Sequence, residues 1–193
     1  MIDDLKELVR LTLSDSAATV RFLKTYSLDR DQLFQLAIAV NAIGVIIAAG
    51  LDFIAPMPDN LPYARLFEMP LFALVAYTAF LLIGVLLCHI VARVMGGDGA
   101  FEDTFLAFIW LQAFVFGFRA ILLAVGLVST SFAALLNLGF SFWFLWLSAG
   151  IIAALYGFRS RWKTMAGVFL TSLLCLFLVA AVMAAFVELP GQV

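Results

Sequence analysis

Charge is scarce in this sequence: only 12% of its 193 residues are Asp, Glu, Lys or Arg, against 65% hydrophobic residues and a mean hydropathy of +1.13. A soluble domain carries about 25% charged residues, so the chain lacks the polar surface that water demands and reads as an integral membrane protein. Its few basic residues form no continuous stripe and the net charge is −2, which excludes nucleic acid as a partner. Tyrosine is rare beside twenty phenylalanines, so the aromatic content serves burial and lipid contact rather than stacking platforms. The two cysteines, Cys88 and Cys175, both fall in apolar stretches, where a thiol behaves as a small hydrophobe and no disulfide framework is built.

Catalytic equipment is equally thin. With a single histidine, His89, and no Gly-x-Ser-x-Gly element, a serine-hydrolase triad has no support. The glycines of "GGDG" lack the Lys-Ser/Thr ending of a phosphate loop, and the acids lie at membrane edges rather than in a cleft. His89 with Glu102 and Asp103 falls short of a metal-ligand set. The expectation is a protein that is not an enzyme and holds neither cofactor nor metal.

What the chain has is long apolar runs. Crossing about 30 Å of hydrocarbon takes about 20 largely apolar residues, and five stretches qualify: Leu33–Ala55, Leu71–Met95, Thr104–Val128, Phe132–Gly157 and Thr164–Val187. The connections between them are the proline-rich "PMPDNLPYARLFEMP" (Pro56–Pro70), the glycine-rich "VMGGDGAFEDTF" (Val94–Phe105), the polar "STS" (Ser129–Ser131) and the basic "GFRSRWKT" (Gly157–Thr164). Each is a breaker placed where a helix should end. The fold class is therefore an all-α membrane protein with five transmembrane helices over residues 32–193. No signal peptide precedes the first apolar run, so insertion is expected to use the first spanning helix.

Residues 1–31 form an amphipathic segment of one or two short helices. In "MIDDLKELVRLTL", Ile2, Leu5, Leu8 and Val9 recur at helical spacing opposite Asp3, Asp4, Lys6, Glu7 and Arg10. A second piece starting near Ser14 or Asp15 sets Val20, Leu23 and Tyr26 on one side, with Arg21 and Lys24 reaching toward lipid phosphates. Such helices either lie in the membrane interface or pack under the bundle. Ser27 and Asp29 are candidate caps for the first spanning helix, and Asp29 with Gln32 has capping-box spacing. Nine basic residues fall on the N-terminal side (Lys6, Arg10, Arg21, Lys24, Arg30, Arg93, Arg159, Arg161, Lys163) and only Arg65 on the other. The positive-inside rule then puts the N-terminus in the cytoplasm and the C-terminus outside.

Residues with intramembrane polarity are the candidate sites. Arg119 lies about two thirds of the way across the third helix at 1.5 Å per residue. Asp52, Glu68 and Asn137 share its depth, and an Arg119–Asp52 ion pair is the expected arrangement; it either fastens helices or marks a substrate or lipid-headgroup site. Asn41 and Gln112 fall at similar depth as interhelical hydrogen-bonding groups. His89 sits near Glu102 and Asp103, where an imidazole could sense protons. Gly44 with Ala48, Ala113 with Gly117, Ala149 with Ala153 and Gly157, and Ala180 with Ala184 are small residues spaced by four, suited to close helix approach inside the bundle or in a dimer. Gly96, Gly97 and Gly99 are expected to turn the chain through backbone angles closed to other residues, with Phe101, Glu102 and Asp103 starting the next helix, acids at its N-terminus.

The opening "MIDDLKELVRLTL", the five spans, "HIVARVMGGDGAFEDTFLAFIWLQ" and "YGFRSRWK" together resemble bacterial members of the Yip1 family of integral membrane proteins. The resemblance covers nearly the whole chain and is most specific at Gly96, Gly97, Gly99, Phe101, Glu102 and Asp103, followed by Trp110, Leu111 and Gln112. It implies a five-helix domain with a cytoplasmic N-terminus and a place in the bacterial inner membrane. The functional expectation is a non-enzymatic protein that organises membrane lipids or protein partners, with small-residue faces that allow self-association as an oligomer. The alternative is a small transporter, channel or scramblase-like protein whose polar residues line a path. No proline interrupts the five stretches, whereas transporters commonly break their helices at the midplane.

Overall fold

The computed structural model describes residues 2–54 and 69–188, and among these the chain is helical throughout its regular structure. Seven helices follow in order: α1 Ile2–Ser14, α2 Ser16–Leu23, α3 Arg30–Ile54, α4 Pro70–Val94, α5 Phe101–Gly126, α6 Thr130–Tyr156 and α7 Arg161–Glu188. The last five are long and apolar enough to cross a membrane. A chain with five such segments buries its backbone polar groups within each helix, as lipid requires. The proline-rich connection with Arg65 and Glu68 lies outside the described residues.

The spans begin two to three residues earlier than the hydropathy pattern predicts, except at α4, where Pro70 takes the first helical position. The added first turns are polar (Arg30 and Asp31, Glu102 and Asp103, Thr130 and Ser131, Arg161 to Lys163), so hydropathy omits residues whose backbone is already helical. At α3, Asp29 rather than Ser27 is the cap. Its carboxylate accepts from the Gln32 backbone N–H at 2.8 Å, and the Gln32 side chain accepts from the Asp29 N–H at 3.1 Å, a reciprocal capping box.

Helices α4 and α6 end on glycines with positive φ, Gly96 at 86° and Gly157 at 72°. At the first, the Gly97 N–H reaches the Ala92 carbonyl at 2.9 Å and the Gly96 N–H the Arg93 carbonyl at 3.0 Å; these are the two bonds of a Schellman motif. At the second, the Phe158 N–H bonds to the Ala153 carbonyl at 2.9 Å. The same device thus stops two helices at the same end of the bundle, called here the N-terminal end because α1 and α2 lie there.

Helix α3 packs against α4 and α5. Helices α4 to α7 form a ring in which α4 touches α5 and α7, and α6 touches α5 and α7. The core runs along these contacts, with Leu33, Val85, Phe105, Ile109 and Ile151 fully buried. Between helices in lipid, close packing and hydrogen bonds supply the attraction that water supplies elsewhere. Gly44 shows how: the ring of Phe116 on α5 occupies the space where a Cβ on α3 would sit. Gly150 on α6 likewise gives way to the Arg161 guanidinium and the Ser16 hydroxyl. Gly117 has nothing within 4 Å of its Cβ position, so the small-residue pattern marks a seam at one place and an open surface at another.

The short helices pack against the flank of the bundle. Leu8, Val20 and Leu23 join the buried core while Leu5 and Leu13 stay more than half exposed. Asp15 caps α2 by accepting from the Ala17 and Ala18 N–H groups. The indole N–H of Trp110 donates to Thr12 Oγ1 at 2.9 Å, tying α1 to α5 about 14 Å along that helix at 1.5 Å per residue. On the solvent face of α1, the Arg10 guanidinium hydrogen-bonds the Glu7 carboxylate and holds it below the usual carboxylate range.

Two substitutions separate the seam from the open surface. Gly44→Ala is expected to lower stability by about 1–3 kcal/mol, because the Phe116 ring must move. Gly117→Ala should be neutral or stabilise by up to about 1 kcal/mol through helix propensity. Thermal unfolding of both variants in detergent, followed by circular dichroism, measures the difference.

Candidate functional site

Polar side chains gather at two levels of the bundle, and the first is its N-terminal end. Tyr156, the last residue of α6, is 4% exposed, and its hydroxyl meets Thr104 Oγ1 on α5 at 2.6 Å and His89 Nδ1 on α4 at 2.8 Å. Thr104 also bonds the Ala100 carbonyl at 2.8 Å. The chain His89–Tyr156–Thr104–Ala100 therefore joins three helices and the turn between α4 and α5. If Thr104 donates to Ala100, Tyr156 donates to Thr104 and His89 donates from Nδ1, a direction that fixes the imidazole tautomer.

The glycine-rich turn wraps this tyrosine. A Cβ on Gly97 would stand 2.7 Å from Tyr156 Cβ and 2.9 Å from the tip of Phe158, and one on Gly99 would stand 2.7 Å from the ring edge at Cε1. Only Gly96 of the three has positive φ, so the expectation that all three serve the backbone angle is corrected: Gly97 and Gly99 are small because an aromatic ring lies against their backbone. Phe158 stacks on Tyr156 with centroids 6.0 Å apart and planes 17° from parallel. The segments "GGDGAFED" and "YGF", far apart in sequence, are two halves of one joint.

Acids beside the joint are paired. Glu102 accepts from Arg30 at 2.8 Å and Asp103 from Lys24 at 2.9 Å, linking α3 and the end of α2 to the first turn of α5. His89, placed near these acids from the sequence, has Nδ1 on the Tyr156 hydroxyl and its ring 86° from that of Phe101, with centroids 5.6 Å apart. Lys24, expected to reach lipid phosphates, is engaged by Asp103; Arg21 lies 3.9 Å from Asp15. Asp98 is almost fully exposed and stands 3.6 Å from Arg93.

The second level is deeper. Asn41 on α3 is fully buried, its amide N–H donating to Thr78 Oγ1 on α4 at 3.1 Å and its carbonyl oxygen accepting from Gln112 on α5 at 2.8 Å. Thr78 passes its own proton to the Leu74 carbonyl at 2.8 Å. Three helices are again joined, and Gln112 continues to the wall of a cavity of about 700 Å³ enclosed by α4, α5, α6 and α7. The cavity runs from Cys88, Phe108, Ile152 and Val168 near the N-terminal end to Tyr77, Arg119, Ser141 and Leu176 toward the far end. Ser141, Ser172 and Leu176 are exposed on the bundle surface, so the cavity opens sideways.

Arg119 is half-buried at the far end of this cavity. Among the described residues no hydrogen bond, salt bridge or ring contact engages its guanidinium, so the expected Arg119–Asp52 pair is not formed there, and Glu68 lies outside the described residues. Asp52 sits in the last turn of α3 as described, and Asn137 is exposed on α6, where its carbonyl accepts from Ser141. Of the six polar residues singled out from the sequence, two pair directly (Asn41 and Gln112) and two line one cavity (Gln112 and Arg119).

Sequence pattern alone does not single out Tyr156, Thr104 or Thr78, and it marks Arg161 only as one basic residue of a connection. Arg161, assigned to a basic loop, turns inward: it donates to the Trp146 carbonyl at 3.1 Å and lies 4.4 Å above the Trp146 ring. A tyrosine closing an apolar helix just before glycine was the available signal for the joint; the positions of Thr104 and Thr78 opposite their partners carried none.

Residues 16–182 match the family model described as the Yip1 domain. No curated protein and no solved structure matches the chain.

The joint makes a coupled prediction. Gly97→Ala should destabilise the protein by about 1–3 kcal/mol and Tyr156→Ala by about 3–5 kcal/mol, but the double variant should lose less than the sum by about 0.5–3 kcal/mol, since the clash disappears with the ring. A double-mutant cycle in chemical unfolding checks it. Asn41→Leu should cost about 0.6–1.7 kcal/mol, the range for interhelical hydrogen bonds in lipid, by the same measurement.

Proposed function

This chain belongs to the Yip1 family of integral membrane proteins, and on that premise we propose that it acts without catalysis, organising lipids of the bilayer around and within its helical ring. The observation that carries the reading is the sideways-open cavity among α4 to α7, apolar along most of its wall. A pocket of roughly 300–1,000 Å³ is the size class that encloses a small ligand, and its mouth faces the bilayer, where lipid is the abundant solute. The charge asymmetry supports an N-terminus in the cytoplasm, which sets the joint on the cytoplasmic side and Arg119 toward the outer one. Helix α1, with Leu5 and Leu13 exposed beside charged residues, has the character of an interfacial helix. Further copies of the chain fit the same reading as neighbours, with Gly117 on α5 open to close approach.

Transport or scrambling along a polar path is the second reading. It asks that Arg119, Asp52, Asn41, Gln112 and His89 border one passage. Of these, Gln112 and Arg119 border the cavity, while Asn41 bonds Thr78 and Gln112 and His89 bonds Tyr156. That arrangement favours holding over conducting.

Reconstitution into vesicles with a leaflet-selective fluorescent lipid tests the choice. The expected result is reduced lipid release from the purified protein on detergent washing, read by mass spectrometry, together with scrambling no faster than in protein-free vesicles. Scrambling accelerated by the wild-type chain, and abolished by a cavity-filling substitution, would replace the first reading with the second.

A further inference from the structure

Every hydroxyl of serine or threonine on the cavity wall is turned back into its own helix. Ser141 donates to the Asn137 carbonyl at 2.8 Å, Ser148 to Phe144 at 2.8 Å, Thr171 to Gly167 at 2.9 Å and Ser172 to Val168 at 2.9 Å. Gln112 has spent an amide proton on Asn41. The wall is therefore poor in free donors except at one end, where Arg119 brings a guanidinium that stays charged in proteins and presents five N–H groups. Tyr77 stands at the same end, edge-on to Phe116.

An arginine at this depth calls for an anion. It lies seven residues before the end of α5, about 10 Å below the far end of that helix at 1.5 Å per residue. Intramembrane charges are costly and pair with a partner or a polar cavity, and among the described residues no carboxylate is within salt-bridge reach. The cavity beneath Arg119 continues along α5 to Phe108, eleven residues or about 16 Å. That is close to half of the roughly 30 Å hydrocarbon core, the depth of one leaflet. A fixed cation at the top, a leaflet-long apolar shaft below and a sideways opening match one molecular shape.

Building on the lipid-organising reading, we infer that the cavity binds a single acyl chain carrying an anionic head, with the carboxylate or phosphate held by Arg119 and the chain lying against Phe80, Phe108 and Leu111 toward Cys88. The head is held by charge-assisted bonds, which a planar guanidinium can make two at a time. A neutral amphiphile with the same chain fills the shaft but leaves the guanidinium without its counterion. Among the described residues the wall carries Arg119 and no acid, which also disfavours a cationic head. The chemistry is shared by a free fatty acid and by an anionic phospholipid with one chain inserted, and the head group separates them.

The test is native mass spectrometry of the full chain released from neutral detergent micelles, titrated with oleate, 1-oleoyl-lysophosphatidylglycerol and monoolein. These share one chain and differ in head: carboxylate, phosphodiester and neutral. At least one anion should bind about tenfold tighter than monoolein, the scale of one charge-assisted hydrogen-bonded contact; which one does identifies the source. Arg119→Gln should erase that preference, and Arg119→Lys should retain part of it, with thermal unfolding used to confirm that each variant is folded. Gly84→Phe, placed on the shaft wall opposite Phe108, should weaken all three. Equal binding of monoolein and the anions, or an anion preference that survives Arg119→Gln, overturns the inference while leaving the lipid-organising reading in place, provided Gly84→Phe still blocks the chain. No chain binding by the folded wild-type protein overturns both.

Discussion

The contact between the Tyr156 ring and the backbone of Gly97 and Gly99 is the constraint on which the arrangement of the spans depends. Helices in lipid gain little from excluding water and must find specific shape and hydrogen-bond complements. Tyr156 supplies both at one point: its ring seats two glycines of the α4–α5 turn, and its hydroxyl reaches His89 on α4 and Thr104 on α5. Because α6 ends at this residue through a glycine with positive φ, the helix direction and the position of the ring are set together. The α4–α5 turn thus cannot shift without moving the end of α6.

From that joint the ring of four helices diverges enough to leave a cavity. Asn41, Thr78 and Gln112 hold α3 to α4 and α5 partway up, with Gln112 also reaching the cavity wall. On the other side, large residues line the wall without filling the space between α5 and α7. Stacked aromatics on α5 and α6, with Phe118 and Phe140 centroids 3.6 Å apart, keep those two helices close near Arg119. The closed joint at one end and the open wall toward the other follow from where the polar bonds and the bulky rings are placed.

The N-terminal helices belong to the same electrostatic and packing scheme. Lys24 and Arg30 flank the short connection between α2 and α3 and grip Asp103 and Glu102, acids already favoured by the N-terminus of α5. Each such pair is solvent-accessible and worth at most about 1 kcal/mol. Their contribution is registration: they set which face of α2 meets α5 and α6, after which Val20 and Leu23 enter the core. Thr12 and Trp110 do the same for α1 through one neutral hydrogen bond.

Local chemistry wrote the five spans, the capping box at Asp29, the glycine ends of α4 and α6 and the acids at the start of α5 into the sequence, because each depends on residues within a few positions of one another. Hydropathy placed the spans but clipped their polar first turns, since it averages side chains and does not see backbone hydrogen bonds. Depth counting brought Asn41 level with Gln112, yet it could not say whether Arg119 met Asp52, because equal depth leaves the rotation of each helix undefined. Rotation was decided only by tertiary packing. It turned Tyr156 into the glycine turn, gave His89 a phenol as its hydrogen-bond partner, drew Arg161 from a loop onto Trp146, and left Arg119 facing a cavity. In lipid the faces of an apolar helix differ little in hydrophobicity, so the orientation of each span is fixed by close fit and hydrogen bonds to distant residues, which no single stretch of sequence contains.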